Sequence, residues 1–251
     1  MLNDWDSKTY STLELPHLNW GKKAIGHLDL AGNETIADLG AGTGRDSFAL
    51  AKLLPKGKVI MVERSRAMLA TLREQLKDHP GTFEVIEADL LSPFGLPNSC
   101  DGAISVAAFH WIHDHLTLFK NIAAILKDDC PLVADCGGET NIAQVIACYE
   151  EVSKTSADAK EIWNFSSVAD AIDNLQAAGL SPESVVLEED PLYLKNKDEL
   201  ETFLRTIVLK DQIAKYESID QKKIIQEVAE KLPNKSIDYV RLKIIAKKLG
   251  S

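Results

Sequence analysis

The sequence predicts an α/β protein with a doubly wound, mostly parallel sheet. Short apolar segments alternate with amphipathic ones from residue 36 to residue 136, as expected when strands and helices follow each other. These apolar segments are nearly free of polar residues, which is typical of central parallel strands. We expect a single domain over residues 1–251, with an N-terminal flap and helix at 1–30 and a helical, lid-like insertion at 193–235 before the last strand.

The bulk composition excludes several classes of protein. The chain has 251 residues, of which 45% are hydrophobic, and its net charge is -10. This acidic balance makes nucleic acid an unexpected partner, because phosphate binding needs clustered cations. No apolar run approaches the roughly 18 residues of a membrane span, so no membrane partner is expected. The four cysteines form no C-x-x-C pair, which favours buried free thiols in a reducing cytoplasm. We expect a cytoplasmic monomer or weak dimer.

A glycine-rich loop follows the first predicted strand. Gly40, Gly42 and Gly44 stand at alternate positions, and a helix is expected over residues 47–54. Glycines remove side chains where the backbone bends sharply and approaches a ligand, so the loop predicts a nucleotide-type site. A dinucleotide fingerprint is not matched, because the third glycine comes one place early and Arg45 fills its position. The alternative is a plain turn between strand and helix.

The second predicted strand, 58–63, ends at an acidic residue. In doubly wound sheets an acid at this position can accept hydrogen bonds from both hydroxyl groups of a ribose. Glu63 is therefore a candidate ribose ligand. The alternative is a solvated surface glutamate before the next helix, which is expected over residues 65–77.

The third predicted strand, 82–87, is followed by Asp89. Its carboxylate could accept a hydrogen bond from the amino group of an adenine, and the amide of Leu90 could donate to the ring. Aspartate is also common in turns, so this interpretation gains weight only together with the glycine loop and Glu63.

His110 and Trp111 follow the fourth predicted strand, 100–106. Ligands of open α/β sheets bind in the crevice outside the carboxyl ends of the strands, so both side chains are expected near a reacting centre. The nearby His113, Asp114 and His115 raise the possibility of a metal site. Their spacing matches no recognised ligand pattern, and we expect no metal.

The remaining elements follow from apolar periodicity. We expect strands at 131–136, 184–189 and 239–247, the last at or near the sheet edge, and helices at 22–30, 115–127, 141–153 and 165–178. Aromatic residues before the first helix, Tyr10 and Trp20 among them, either pack on the domain or form a flap over a ligand.

Motifs along nearly the whole chain resemble one family. They are Tyr10, Trp20, the D-x-G-x-G-x-G loop at 38–44, Glu63, Asp89, the Phe-His-Trp segment at 109–111 and the Tyr-Val-Arg-Leu segment at 239–242. The chain resembles class I S-adenosylmethionine-dependent methyltransferases, of the small-molecule type that acts on trans-aconitate or malonyl-carrier protein. The resemblance implies a Rossmann-like, seven-stranded sheet with the last strand antiparallel. It also implies S-adenosylmethionine as the cofactor, S-adenosylhomocysteine as its product, and a small-molecule substrate.

The resemblance also implies particular contacts. Cofactor contacts are expected from Asp38, Gly40, Ala41, Gly42, Gly44, Glu63, Arg64, Asp89, Leu90 and Val106. Substrate contacts are expected from Tyr10, Trp20, Trp111 and Arg205 in a chamber roofed by the N-terminal segment and the late helices. The sequence departs from the family at Glu63, where an aspartate after a glycine is frequent, and at residues 128–131, where Pro-Gly-Gly is frequent.

The reaction that the resemblance implies is O-methylation of a carboxylate, which is already a nucleophile and needs no base. Arg205 is then the candidate cation for the unmethylated oxygen, with His110 as a second donor, although a solvated helix face also explains Arg205. If the acceptor is a hydroxyl, amine or carbon acid, His110 becomes the general base. A protein that binds S-adenosylmethionine without turnover is a further alternative, and a dehydrogenase is disfavoured by the glycine spacing.

Overall fold

A computed structural model describes residues 17–250. Its main sheet has seven strands in the order β3-β2-β1-β4-β5-β9-β6. The strands are β1 Thr35–Leu39, β2 Lys58–Glu63, β3 Phe83–Glu87, β4 Gly102–Val106, β5 Pro131–Gly137, β6 Leu180–Glu189 and β9 Val240–Lys248, and a separate ladder pairs β7 Leu192–Tyr193 with β8 Ser236–Ile237. The first five strands are parallel, and β9 runs antiparallel to both of its neighbours. The predicted fold class is confirmed.

Helices cover both faces of the sheet. They are α1 His17–Ile25, α2 Arg45–Leu53, α3 Arg66–Gln75, α4 His115–Ile125, α5 Ala143–Ser153, α6 Ala159–Ile162, α7 Val168–Ala177, α8 Lys197–Phe203, α9 Lys210–Ile213 and α10 Ser218–Lys231. One core cluster packs α1, α2, α5 and α10 on one face, and a second packs α4 and α7 on the other.

Alternation along the strands explains these two layers. In β1, Ile36 belongs to the first cluster and Ala37 to the second, and in β2 the same division separates Val59 from Ile60. Successive side chains of a strand point to opposite faces, so a continuous apolar strand fills two cores at once.

Some element boundaries differ from the predictions. The first helix spans His17–Ile25 and not 22–30, because the chain turns after Ile25, where the N–H groups of His27 and Leu28 bond to the carbonyls of Ala24 and Ile25. Strand β6 begins at Leu180, four residues before the predicted start, with a register shift between Pro182 and Ser184. Strand β9 lies one position inside the edge, which β6 occupies.

The predicted insertion at 193–235 is mainly helical and contains α8, α9 and the 14-residue α10. After α8 the backbone forms a π-helical segment, Leu204–Val208, and the ladder of β7 with β8 closes the base of the insertion. Its motion as a lid stays a prediction. Within residues 17–250, none of the helices combines the length and the apolar character that spanning a membrane requires.

Candidate active site

A cavity lies over the carboxyl ends of the parallel strands. The sheet order places β1 and β4 side by side although their connections lead to opposite halves of the sheet, which makes this a topological switch point. The cavity is lined by Trp20, Gly40, Gly42, Val62, Glu63, Arg64, Met68, Ala88, Asp89, Leu90, Val106, Ala107, Ala108, His110, Trp111, Ile112, Asn141, Ile142, Trp163, Phe165, Ile207, Val208, Tyr239 and Arg241.

The glycine loop forms one wall of the cavity. Gly40 has φ +79°, and a Cβ there would lie 2.5 Å from the Cβ of Ala108. The N–H of Gly40 donates to the Val62 carbonyl at 2.8 Å, which ties the loop to β2. Gly42 has φ +57°, and a Cβ there would meet nothing within 4 Å. The loop therefore needs glycine at position 40 for both space and conformation, and leaves the backbone open at position 42.

Three of the predicted cofactor residues, Asp38, Ala41 and Gly44, are not among the residues that line the cavity. Asp38 is buried and accepts a hydrogen bond from the Ser47 hydroxyl at 2.5 Å. Burial, reinforced by the nearby charge of Asp46, raises the pKa of Asp38 to about 7. Cofactor contacts from Asp38, Ala41 and Gly44 stay a prediction.

Glu63 lies on the cavity wall and holds the loop ends together. Its carboxylate accepts hydrogen bonds from the backbone N–H of Gly42 at 2.9 Å, of Arg64 at 2.8 Å and of Ser65 at 2.7 Å. An ionised carboxylate has about four lone-pair sites, so these three bonds fix its orientation and leave acceptor capacity. The longer acid is thus accommodated by the turn after β2.

Asp89 lies on the wall at the end of β3. Its carboxylate accepts from Nη1 of Arg64 at 3.1 Å and from the N–H of Leu91 at 2.9 Å. The neighbouring Leu90 is buried, and its carbonyl accepts from Nδ2 of Asn121 at 3.0 Å. Val106, at the end of β4, completes this part of the lining. The ends of β1, β2, β3 and β4 therefore meet at one cavity wall.

His110 is held as a hydrogen-bond donor toward the cavity. Its Nδ1 accepts from the N–H of Gly137 at 3.2 Å, so the proton of the neutral ring is assigned to Nε2. Burial, together with the charges of Arg241 and His115, lowers the pKa of His110 well below its usual value. A neutral ring with its proton on Nε2 can donate to an anion but is a poor base.

The two histidines that follow in the same segment, His113 and His115, contact backbone carbonyls. Nε2 of His113 lies 3.0 Å from the Glu161 carbonyl, and Nε2 of His115 lies 3.1 Å from the Phe109 carbonyl. Among residues 17–250, no group of three His, Cys, Asp or Glu side chains could hold a metal ion.

A buried cation faces the cavity from β9. Arg241 is 1% exposed, and its Nε and Nη2 donate to Oδ1 and the backbone carbonyl of Asp135 at 2.8 and 3.0 Å. The guanidinium lies 3.7 Å from the ring centroid of Trp20, whose Nε1 donates to Asp190 at 2.7 Å. Asp135 is not a lining residue, so the carboxylate that pairs with Arg241 does not line the cavity.

Aromatic rings make up the wall beside this cation. The ring centroids of Trp111 and Trp163 are 5.9 Å apart, and those of Trp163 and Phe165 are 5.4 Å apart in a stacked arrangement. The ring centroid of His110 lies 5.2 Å from that of Trp111 and 6.0 Å from that of Phe165. Ile207 and Val208 of the π-helical segment add apolar surface. Among the described residues, this half of the cavity is thus largely apolar, with Arg241 as its cation.

Two predicted substrate residues are not brought to the cavity. Arg205 is exposed and lines a separate surface groove with Asp198 and Glu201, so its position does not support a substrate contact. Tyr10 lies outside the described residues. Trp20 and Trp111 are lining residues.

Sequence reasoning missed several lining residues. They are Asn141, Trp163, Phe165, Tyr239 and Arg241. Tyr239 and Arg241 belong to the Tyr-Val-Arg-Leu segment at 239–242, which is part of the family resemblance. That segment was the signal in the sequence that could have identified them. The segment between α5 and α7, which supplies the aromatic pair, has no periodicity or motif.

The sequence of residues 36–129 matches the family described as "Methyltransferase domain". The predicted class, a class I S-adenosylmethionine-dependent methyltransferase, is confirmed for this domain. Among curated relatives, the trans-aconitate 2-methyltransferase of Afipia carboxidovorans is 32% identical over 125 residues, which are 50% of this chain and 47% of the relative. The matched part of the chain thus spans about half the length of that relative.

Solved structures share the fold across nearly the whole chain. A Bacillus halodurans protein with a provisional methyltransferase name has a TM-score of 0.66 and 17% identity, covering 92% of this chain and 99% of its own. The geranyl diphosphate C-methyltransferase of Streptomyces coelicolor, solved with Mg²⁺, geranyl diphosphate and S-adenosylhomocysteine, has a TM-score of 0.58 and 16% identity, covering 92% and 79%. At these identities the likeness concerns the fold.

Proposed function

We propose that this protein transfers the methyl group of S-adenosylmethionine to a small carboxylic acid. The observation that carries the proposal is the division of the cavity at the switch point. Its β1–β3 side has Glu63 and Asp89 beside an open glycine backbone, and its other side has a buried cation and a neutral histidine donor.

The first side of the cavity fits the cofactor. Gly42 leaves the backbone open to a ligand, Glu63 offers acceptors for ribose hydroxyls, and Asp89 offers an acceptor for an adenine amino group. When bound, S-adenosylmethionine supplies a methyl group on a positively charged sulfur and leaves as S-adenosylhomocysteine.

The second side fits a carboxylate. Arg241 would bind one carboxylate oxygen, and Nε2–H of His110 would donate a second hydrogen bond, which orients the other oxygen for in-line attack. The carboxylate needs no proton removed, which agrees with the lowered pKa of His110. The aromatic wall would exclude water from the transfer. The trans-aconitate methyltransferase relative is named for an acidic substrate, which supports the same class.

Transfer to a hydroxyl, amine or carbon acceptor with His110 as base is the second candidate, and binding without turnover is the third. A cytoplasmic location belongs to the main proposal and is supported by the free thiols of all four cysteines.

The test is transfer of labelled methyl from S-adenosylmethionine into a metabolite extract, followed by mild base. Label released as methanol means an ester and supports the proposal. Base-stable label means an ether, amine or carbon product and favours the second candidate. S-adenosylhomocysteine binding without incorporation of label favours the third.

A pair of variants distinguishes the two roles of His110. His110→Ala removes the donor, and we expect turnover to fall on the order of a hundredfold with S-adenosylhomocysteine affinity unchanged. His110→Gln can keep an N–H near the position of Nε2, so a substantial part of the turnover should return. If His110→Gln is as inactive as His110→Ala, the donor role is wrong.

A further inference from the structure

We propose that the methyl acceptor is a monocarboxylic acid with a flat, apolar body, and not a polycarboxylate. This inference rests on the proposed function and narrows its substrate class. It departs from the substrate for which the trans-aconitate methyltransferase relative is named, since trans-aconitate is a tricarboxylate.

The charges of the cavity wall carry the first step. Among the described residues, the charged lining side chains are Glu63, Arg64, Asp89 and Arg241. Glu63 ends β2, and Arg64 and Asp89 belong to the turns after β2 and β3, where they pair with each other at 3.1 Å. On the β4–β9 side the described lining therefore offers one cation, Arg241.

The geometry of this cation carries the second step. Nε and Nη2 of Arg241 are engaged by Asp135, and the remaining nitrogen, Nη1, takes no part in these two bonds. The ion pair has no net charge, so a first carboxylate would be held by a local hydrogen bond. Among the described lining residues on this side, a second carboxylate would meet no further positive charge. Charged groups removed from water without partners are strongly disfavoured. The described part of the site therefore provides for one carboxylate.

The surfaces around the cation carry the third step. The rings of Trp111, Trp163 and Phe165 form a continuous aromatic wall. Ile207 and Val208, from the π-helical segment, also line the cavity. Aromatic faces bind flat apolar groups by offset stacking and by burial of apolar area. An aromatic or conjugated body next to a single carboxylate matches this wall.

The first test compares acids with the full-length protein and S-adenosylmethionine. Trans-aconitate, benzoate, trans-cinnamate and octanoate are each assayed for base-labile methyl ester, and the ester formed in a metabolite extract is identified by mass. We expect kcat/KM for trans-cinnamate to exceed that for trans-aconitate at least tenfold, and the extract product to derive from a monoacid. A diacid or triacid as the preferred acceptor overturns this inference and leaves the carboxylate proposal intact, whereas the absence of any base-labile ester overturns both.

A second test changes the charge of the wall. Ile207→Lys adds a cation on the acceptor side, and Ile207→Met is the uncharged control of similar length. We expect the ratio of trans-aconitate to trans-cinnamate turnover to rise at least tenfold in the lysine variant relative to the methionine variant, with S-adenosylhomocysteine binding used to check folding. Equal ratios in two folded variants would mean that charge does not set the selectivity, and the inference would fail.

Discussion

Between about pH 4 and pH 7, Asp38 is protonated in the folded protein and ionised in the unfolded chain. Its pKa is raised from 3.8 to about 7 by burial, so the folded state holds more protons than the unfolded state between these values. Stability therefore falls as the pH rises from about 4 to about 7, and the loss stays constant above the folded-state pKa.

Asp38→Asn should remove this pH dependence. The amide can still accept from the Ser47 hydroxyl, as the carboxyl group does at 2.5 Å. We expect the free energy of unfolding of the variant, relative to the unchanged protein, to rise by about 1 to 4 kcal/mol between pH 4 and pH 8. Urea denaturation at several pH values measures it, with the exposed Asp29→Asn as the control. An equal difference at both pH values would contradict the assignment.

Glu63 links the cofactor proposal to the geometry of the loop. Its carboxylate accepts three backbone N–H groups, and the amide of Glu63→Gln would turn an N–H₂ donor toward at least one of them. We expect S-adenosylhomocysteine to bind about tenfold or more weakly, since a lost charged hydrogen bond costs about 1.5–3 kcal/mol.

Calorimetry measures that affinity, and Glu87→Gln is the matched control. Glu87 ends β3 as Glu63 ends β2, but it pairs with Arg66 at 3.1 Å and does not line the cavity. A variant of Glu63 with unchanged affinity would remove this residue from the cofactor site.

The placement of Glu63 and Asp89 on the cavity wall could be predicted from the sequence, because each follows an apolar strand and parallel strands end at one edge of the sheet. Arg241 could not be placed in this way. Its neighbour Asp135 is 106 residues away in the chain, and local periodicity carries no information on such a contact.

At the scale of elements, the glycine loop offers a matched pair of variants. Gly40→Ala combines a positive φ with a Cβ placed 2.5 Å from that of Ala108, whereas Gly42→Ala has a positive φ and open space. We expect Gly40→Ala to lower the free energy of unfolding by about 2–4 kcal/mol and Gly42→Ala by about 1–2 kcal/mol.

The effects of the two variants on S-adenosylhomocysteine binding should not follow their effects on stability. A methyl group at position 42 would occupy the open space of the cavity, so Gly42→Ala should weaken S-adenosylhomocysteine binding more than its small loss of stability suggests. Urea denaturation and calorimetry separate the two quantities. Equal losses of stability in both variants would contradict the role of Ala108.

Local apolar periodicity predicted most helices and strands but placed some of their boundaries wrongly. Strand β2 was predicted with its observed bounds, because an apolar run from Val59 to Val62 lies between two charged residues, with a clear turn before it. The end of α1 was missed, since Gly26 lies inside a pattern that remains apolar to Leu30. The early part of β6 was also missed, because Pro182 argues against a strand and is tolerated here at an irregularity of the edge strand.

At the scale of the whole molecule, the sheet order separates two tasks. The turns after β1, β2 and β3 form the proposed cofactor side, and the turns after β4 and β5 meet the start of β9 on the acceptor side. The antiparallel strand β9 makes this possible, because it pairs Arg241 with Gly137 at the carboxyl end of β5. The cation is thereby brought to the same edge as the glycine loop.

This separation predicts that an acceptor-side variant affects the acceptor alone. Trp111→Leu keeps an apolar side chain and removes an aromatic face from the wall shared with Trp163. We expect KM for the acceptor acid identified in the extract to rise about 2- to 12-fold, which corresponds to the ~0.5–1.5 kcal/mol of an aromatic contact. S-adenosylhomocysteine affinity should stay within about twofold, because the ring lies on the β4 side of the switch point. Steady-state kinetics and calorimetry provide the two readouts, with Tyr193→Leu, 64% exposed and not on the cavity wall, as the control. If S-adenosylhomocysteine affinity falls as much as the acceptor KM rises, the two sides of the cavity do not act separately and the prediction is wrong.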